Sequence, residues 1–89
     1  MSFIPVFEDI EAAIQLIAPH VHRTPLLTSG QLDALSGAHL FFKCENFQKV
    51  GAFKYRGATN AVLNLTDAQR AAGVVTHSSG NHAAALAHA

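Results

Sequence analysis

Two short runs of large apolar residues, each followed by a stretch at helical period, constrain the fold of this 89-residue chain most. His39 to Cys44 and Val74 to His77 read as buried strands. The segments after them, from about Ala52 to Leu65 and from Asn81 onward, carry helix-type spacing. Strand, helix, strand, helix is the signature of an α/β fold with a parallel sheet flanked by helices. Parallel strands need cover on both faces. Two or three strands with these helices cannot easily arrange that, so the sheet is expected to be incomplete. Upstream, Phe7, Ile10, Ile14 and Ile17 recur at helical spacing, and Glu8, Asp9 and Glu11 favour the positive end of that helix. Pro19 stops it near Ala18. Thr24 to Leu27 reads as extended, and Ser29 caps a short helix through Leu35 that Gly37 ends. Thr66-Asp67-Ala68-Gln69 fits a capping box for a further short helix ended by Gly73.

Within this frame one lysine stands out. Read as a helix opening after a turn at Gly51, the stretch Lys49-Val50-Gly51-Ala52-Phe53-Lys54-Tyr55-Arg56-Gly57-Ala58 puts Lys54 on one face with Gly57, Ala58, Ala61, Val62 and Leu65. Tyr55, Arg56, Thr59 and Asn60 take the opposite face. An ammonium on the buried side is costly unless it is paired, neutralised or converted. The small residues beside it would let another body approach the backbone closely. A desolvated lysine with room next to it suits Schiff-base chemistry with a carbonyl cofactor. The competing reading is a first-turn lysine that snorkels to solvent. A second segment, Ser78-Ser79-Gly80-Asn81-His82, follows the strand candidate as a small polar turn opening a helix. Backbone N–H groups of Ser79, Gly80 and Asn81 at such a turn would suit an anion. A turn of this kind is by itself more often a simple cap.

Composition excludes several classes. Six basic and six acidic side chains cancel, and no basic face or run suggests nucleic acid. The 49% apolar content marks a globular chain, and no segment approaches the roughly eighteen apolar residues of a membrane span. The single cysteine, Cys44, cannot form an intrachain disulfide, which suits a reducing cytoplasm. It reads as a packed structural thiol. Six histidines invite a metal, but neither His20 and His22 nor His77, His82 and His88 have the spacing of a ligand set. No metal site is expected here, and His77 and His82 are assigned to the turn that shapes the pocket.

These two segments lie 25 positions apart, counted from Lys54 to Ser79. Together with Arg23-Thr24-Pro25-Leu26 and Phe42-Lys43-Cys44-Glu45-Asn46-Phe47-Gln48, they closely resemble the fold-type II pyridoxal-phosphate enzymes (tryptophan synthase β-like). Within that family the resemblance is to serine/threonine dehydratases, serine racemases and threo-3-hydroxyaspartate ammonia-lyases, in register along nearly the whole chain. It implies that Lys54 forms the Schiff base with pyridoxal phosphate and later shuttles the α-proton, with Phe53 packed near the ring. It further implies that Asn81 hydrogen-bonds the cofactor's 3-hydroxyl and that Ser78, Ser79, Gly80, Asn81 and His82 receive the carboxylate of a small amino-acid substrate. Ser79 takes the place that serves racemases as acid/base on the ring face opposite the lysine. Dehydration to a keto acid and ammonia, or racemisation, would both follow from the same two groups. A homodimer or other homo-oligomer is implied, as is a Mg or Ca site outside this segment.

Where the chain departs from the pattern, the implications narrow. Gly30 and Val50 replace hydroxyl side chains typical of the nucleotide-effector site in eukaryotic serine racemases, which puts nucleotide regulation in doubt. Ala52 replaces a frequent serine, a substitution also familiar in the hydroxyaspartate lyases. The glycine-rich phosphate loop, the group facing the pyridine nitrogen and the cation ligands fall downstream in relatives. Residues 1–89 are therefore expected to be the N-terminal part of a catalytic domain, inactive in isolation. A non-catalytic interaction module, or a β-replacing enzyme of the same fold, are the alternatives. Phe42 to Gln48 favours the dehydratase branch over the second of these.

Overall fold

The structure is a computed structural model that describes residues 3–89. Helix α1 spans Phe7–Ile17; its first turn is tied by the Asp9 carboxylate, which accepts from the Val6 N–H at 2.8 Å. Strand β1, Leu26–Leu27, and strand β2, Phe42–Lys43, flank helix α2, Gly30–Ser36. The Ser29 hydroxyl caps α2 through the Leu32 N–H, and Gly37 closes it at φ 70°, the left-handed conformation that the missing Cβ permits. Two single 3₁₀ turns, Glu45–Phe47 and Lys49–Gly51, lead into helix α3, Lys54–Leu63. Helix α4, Asp67–Ala72, opens with the expected capping box between Thr66 and Gln69. Helix α5, Asn81–His88, starts at the expected asparagine.

The β-structure differs from the expectation. The one ladder among the described residues pairs β1 with β2 antiparallel, Leu26 opposite Lys43 and Leu27 opposite Phe42. Among the described residues no parallel pair forms, and Val74 to His77 takes no strand conformation and has no ladder partner, Val75 being 96% exposed. The reason is the one that made the sheet look incomplete. A strand destined for burial on both faces gains little from pairing until neighbours cover it. The short β1–β2 pair needs no such cover, because α2 alone joins its two strands.

Packing is correspondingly local. Ala58 of α3 and Ala85 of α5 are buried against each other with Tyr55, flanked by Val21 and Leu86. The Tyr55 ring meets His88 edge-on at 5.2 Å, so the start of α3 lies against the end of α5. Large apolar side chains of α1 and its approach remain exposed, among them Ile4, Phe7 and Ile10. The radius of gyration is 16.3 Å, against about 12 Å for a closed domain of this length. No helix among the described residues is long and apolar enough to cross a membrane.

Candidate active site

Lys54 is the first residue of α3, and its side chain is exposed. This corrects the face expected from the sequence. The helix buries Tyr55, Ala58 and Thr59, whereas Gly57 and Ala61 face out beside the lysine. Tyrosine buries far more apolar area than a glycine–alanine stripe, and an unpaired ammonium resists burial, so the helix turns its tyrosine side inward. The open small-residue strip survives the correction: a Cβ built on Gly57 would meet nothing within 4 Å. The Lys54 Nζ makes no hydrogen bond or ion pair among the described residues and lies 5.8 Å from the centroid of the exposed Phe53 ring. Its neighbours are engaged. Lys43 Nζ donates to the Thr24 carbonyl at 2.8 Å, and Lys49 Nζ sits 5.7 Å over the Tyr55 ring.

A polar lock holds the start of α3 against the earlier chain. Arg56 donates through Nε to Oε1 of Glu45 and through Nη2 to Oε2 at 2.9 Å, a bidentate fork. The Thr24 hydroxyl donates to the same Oε2. These partners hold the Glu45 carboxyl well below its ordinary value, at about 2, with Arg56 the largest cause. The same pairing raises Arg56. Beside it the buried Gln48 amide bonds both backbone groups of His22, accepting from its N–H at 2.9 Å and donating to its carbonyl at 2.8 Å. Residues of three sequence motifs, Arg23–Leu26, Phe42–Gln48 and Lys49–Ala58, are thus one cluster. Sequence reasoning quoted Thr24, Glu45, Gln48 and Arg56 as motif letters without giving them a task. A signal was present: polar residues embedded in otherwise apolar motifs. Their partners lie 11 to 26 positions apart, beyond the reach of any periodicity.

The second expected segment is less tied. Ser78 is half-buried and its Oγ accepts from the Gly80 N–H at 3.2 Å. One of the three amides expected to face an anion is therefore used inside the turn, as serine side chains often do. Ser79, Gly80 and Asn81 are exposed, and His82 is half-buried. The first bond within α5 runs from the Ala84 N–H to the Gly80 carbonyl at 3.2 Å, leaving the amides of Asn81, His82 and Ala83 without helical acceptors. Among the described residues no hydrogen bond or ion pair joins Lys54 or Phe53 to residues 78–82. The two segments belong to adjoining helices.

A cavity of about 480 Å³ is lined by Ile17, Val21, Arg23, Lys43 and Arg56 and contains neither Lys54 nor the 78–82 turn. Chemistry, not cavity size, therefore locates the candidate site. An exposed primary amine beside an open small-residue strip, and unpartnered amides at the start of α5, suit a group that carries both an aldehyde and anionic oxygens.

Comparison with known proteins supplies the context. A model of the family described as pyridoxal-phosphate dependent enzyme matches residues 17–89. The chain is 63% identical over 87 residues to a beta-hydroxyaspartate dehydratase of Paracoccus denitrificans, covering 98% of this chain and 28% of that protein. It is 64% identical over 78 residues to a serine racemase of Arabidopsis thaliana, covering 88% of this chain and 24% of the relative. The solved structure of maize serine racemase superposes with a TM-score of 0.90 at 56% identity, over 96% of this chain and 27% of that one. The chain thus spans about a quarter of the length of the relatives it matches.

Proposed function

The chain belongs to the pyridoxal-phosphate dependent enzyme family, and on that premise we propose that it carries the cofactor lysine, Lys54, of an ammonia-lyase or racemase. The substrate class is a small hydroxyamino acid: serine, threonine or 3-hydroxyaspartate. Relatives named for both chemistries, at 63% and 64% identity, support that breadth. The observation that carries the assignment of Lys54 is the openness around its amine. Lys43 Nζ is held by the Thr24 carbonyl and Lys49 Nζ lies over the buried Tyr55 ring, whereas Lys54 Nζ lies over the exposed Phe53 ring and makes no hydrogen bond among the described residues.

Bound here, pyridoxal phosphate would supply an electron sink for the pair left when an α-proton departs. This chain's residues supply position and proton transfer. The Lys54 amine would hold the cofactor through its aldehyde group and would serve as the base for the α-proton on one face. Ser79 Oγ holds a proton for the other face. The Asn81 side chain would bond the cofactor's ring hydroxyl, and Phe53, 63% exposed, would offer an apolar wall beside the amine. Unpartnered amides at the start of α5, next to Ser78, Gly80 and His82, receive the substrate carboxylate, helped by the helix dipole. Delivery of the Ser79 proton to the other face would give the opposite enantiomer. Departure of the β-hydroxyl as water, with the proton that Lys54 has taken up, would instead leave an enamine that hydrolyses to keto acid and ammonia.

The protein is further proposed to be cytoplasmic, in keeping with the single cysteine of this chain, and homo-oligomeric, as the family resemblance implies. A divalent cation is proposed to bind outside this segment. Borohydride reduction of the full-length protein with pyridoxal phosphate, followed by peptide mapping, tests the central assignment. The label is expected on Lys54; finding it on Lys43 or Lys49 overturns the reading.

A further inference from the structure

We infer that Glu45, acting through Arg56, is a positioning residue that sets the direction in which the Lys54 amine is presented to the cofactor. This rests on the assignment of Lys54 above. The opening turn of α3 lacks the usual local anchors. Phe53 at the N-cap makes no side-chain capping bond, and no acidic residue stands in the first turn. The Tyr55 N–H reaches the Ala52 carbonyl only at 3.4 Å. The two residues before Ala52 both have positive φ, Val50 at 56° and Gly51 at 69°, so the approach to the helix is the single irregular 3₁₀ turn Lys49–Gly51. Left to itself, such a first turn frays.

Arg56 supplies the missing anchor from inside the helix. It stands two positions after Lys54, about 200° around the axis, so the two side chains leave the helix on nearly opposite sides. A guanidinium fork fixed on both carboxylate oxygens constrains rotation as well as distance, which a single contact cannot do. Glu45 is in turn fixed by the Thr24 hydroxyl, and Arg56 Nη2 reaches the His22 carbonyl at 3.4 Å. The pair is only partly open to water, the Glu45 side chain being 17% and the Arg56 side chain 33% exposed, so screening leaves it intact. Holding Arg56 on one side therefore aims Lys54 out of the other, over the open strip at Gly57. The cost of a misaimed amine falls on bond formation with the cofactor, where about 1 Å of displacement costs roughly 10²-fold.

The test uses the full-length protein with Glu45→Gln, which keeps shape and removes charge, Arg56→Lys, which keeps charge and removes the fork, and the double variant. The cofactor-free proteins are mixed with saturating pyridoxal phosphate. The rate of lysine–cofactor bond formation is followed by absorbance, and the visible circular dichroism per bound cofactor is recorded. Each single variant is expected to retain its far-ultraviolet spectrum, to form the bond roughly 10- to 100-fold more slowly, and to show a weakened visible signal. The double variant is expected to be no slower than the worse single one. Folded single variants with rates within twofold of the unchanged protein and an unaltered visible signal would overturn the inference. So would loss of folding in both singles, which would assign the pair to the fold alone. If only one folds, that one decides by the same criteria. Should borohydride in the unchanged protein label a lysine other than Lys54, the functional reading fails instead; a label on Lys54 with unaffected variants rejects only the positioning role.

Discussion

The opening turns of α3 and α5 carry the two halves of the proposed site, and they are built differently. Around Lys54 the approach is strained and the helix start uncapped, yet Thr24, Glu45, Gln48 and Arg56 knit it to chain as far as 26 positions away. Around Asn81 the only side-chain bond is local, from the Gly80 N–H to Ser78 Oγ, and the segment leading in has no ladder partner among the described residues. The mount of the proposed nucleophile is thus self-contained within these residues, whereas the proposed anion-receiving turn takes its support from its helix. Stability tracks the number and reach of the contacts that must break before a segment opens. The α3 start should accordingly be the stiffer of the two, and the α5 start the one that adjusts to what it binds.

The sharpest break in that comparison is chemical. If the α5 turn contributes a proton on the face opposite Lys54, Ser79→Ala in the full-length protein should lower racemisation by about 10²–10⁴-fold. L-dehydration, which Lys54 can serve from its own face, should largely persist. Paired chiral chromatography and keto-acid assays read the two rates, with the cofactor's absorbance as the check that the turn survives. Equal loss of both activities with an unchanged absorbance would show that the α5 turn has no face-specific part.

The same contrast explains what could be read from the sequence. Elements set by neighbouring residues were legible: the periodicity of Phe7 to Ile17, the Thr66–Gln69 capping box, the Gly37 stop and the start at Asn81. The segment motifs were legible too, since matching needs only order. The antiparallel pairing of Leu26–Leu27 with Phe42–Lys43 was not, because two strand candidates of this length do not state their partner or direction. The helix face was misjudged for a related reason. A stripe of Gly57, Ala58 and Ala61 and one containing Tyr55 and Thr59 both fit a 3.6 period, and which turns inward depends on α5 arriving with Ala85 and His88. Likewise the tasks of Glu45 and Gln48 depend on Arg56 and His22 being brought to them.

That dependence on α5 can be probed through its seam with α3. Ala85 is 0% exposed and lies against Ala58 and Tyr55. Ala85→Leu adds volume where two helix backbones approach closely, and overpacking of this kind costs about 1–3 kcal/mol. A lower denaturant midpoint with an unchanged slope is expected. A neutral result would mean that α5 moves away freely, and that the start of α3 keeps its place through the Glu45–Arg56 lock alone.

The smallest effect concerns the strain stored at the approach to α3 and absent from the approach to α5. Val50 is the one non-glycine residue at positive φ among the described residues, at φ 56° and ψ 12°. For a β-branched side chain the left-handed region is a true outlier, costing of order 1–2 kcal/mol. Asparagine tolerates that region, and Val50 is already 37% exposed, so little apolar burial is lost on replacement. Val50→Asn should therefore raise stability by about 1 kcal/mol, read as a higher denaturant midpoint. Glycine would relieve the same strain but return roughly 0.5–1 kcal/mol of it through unfolded-chain entropy, so the order Asn above Gly above Val is expected. If Asn is less stable than Val, the valine side chain outweighs its own backbone cost by packing. The approach to Lys54 would then be held by apolar contact as well as by the polar lock, and the contrast between the two turns would narrow from the strained side.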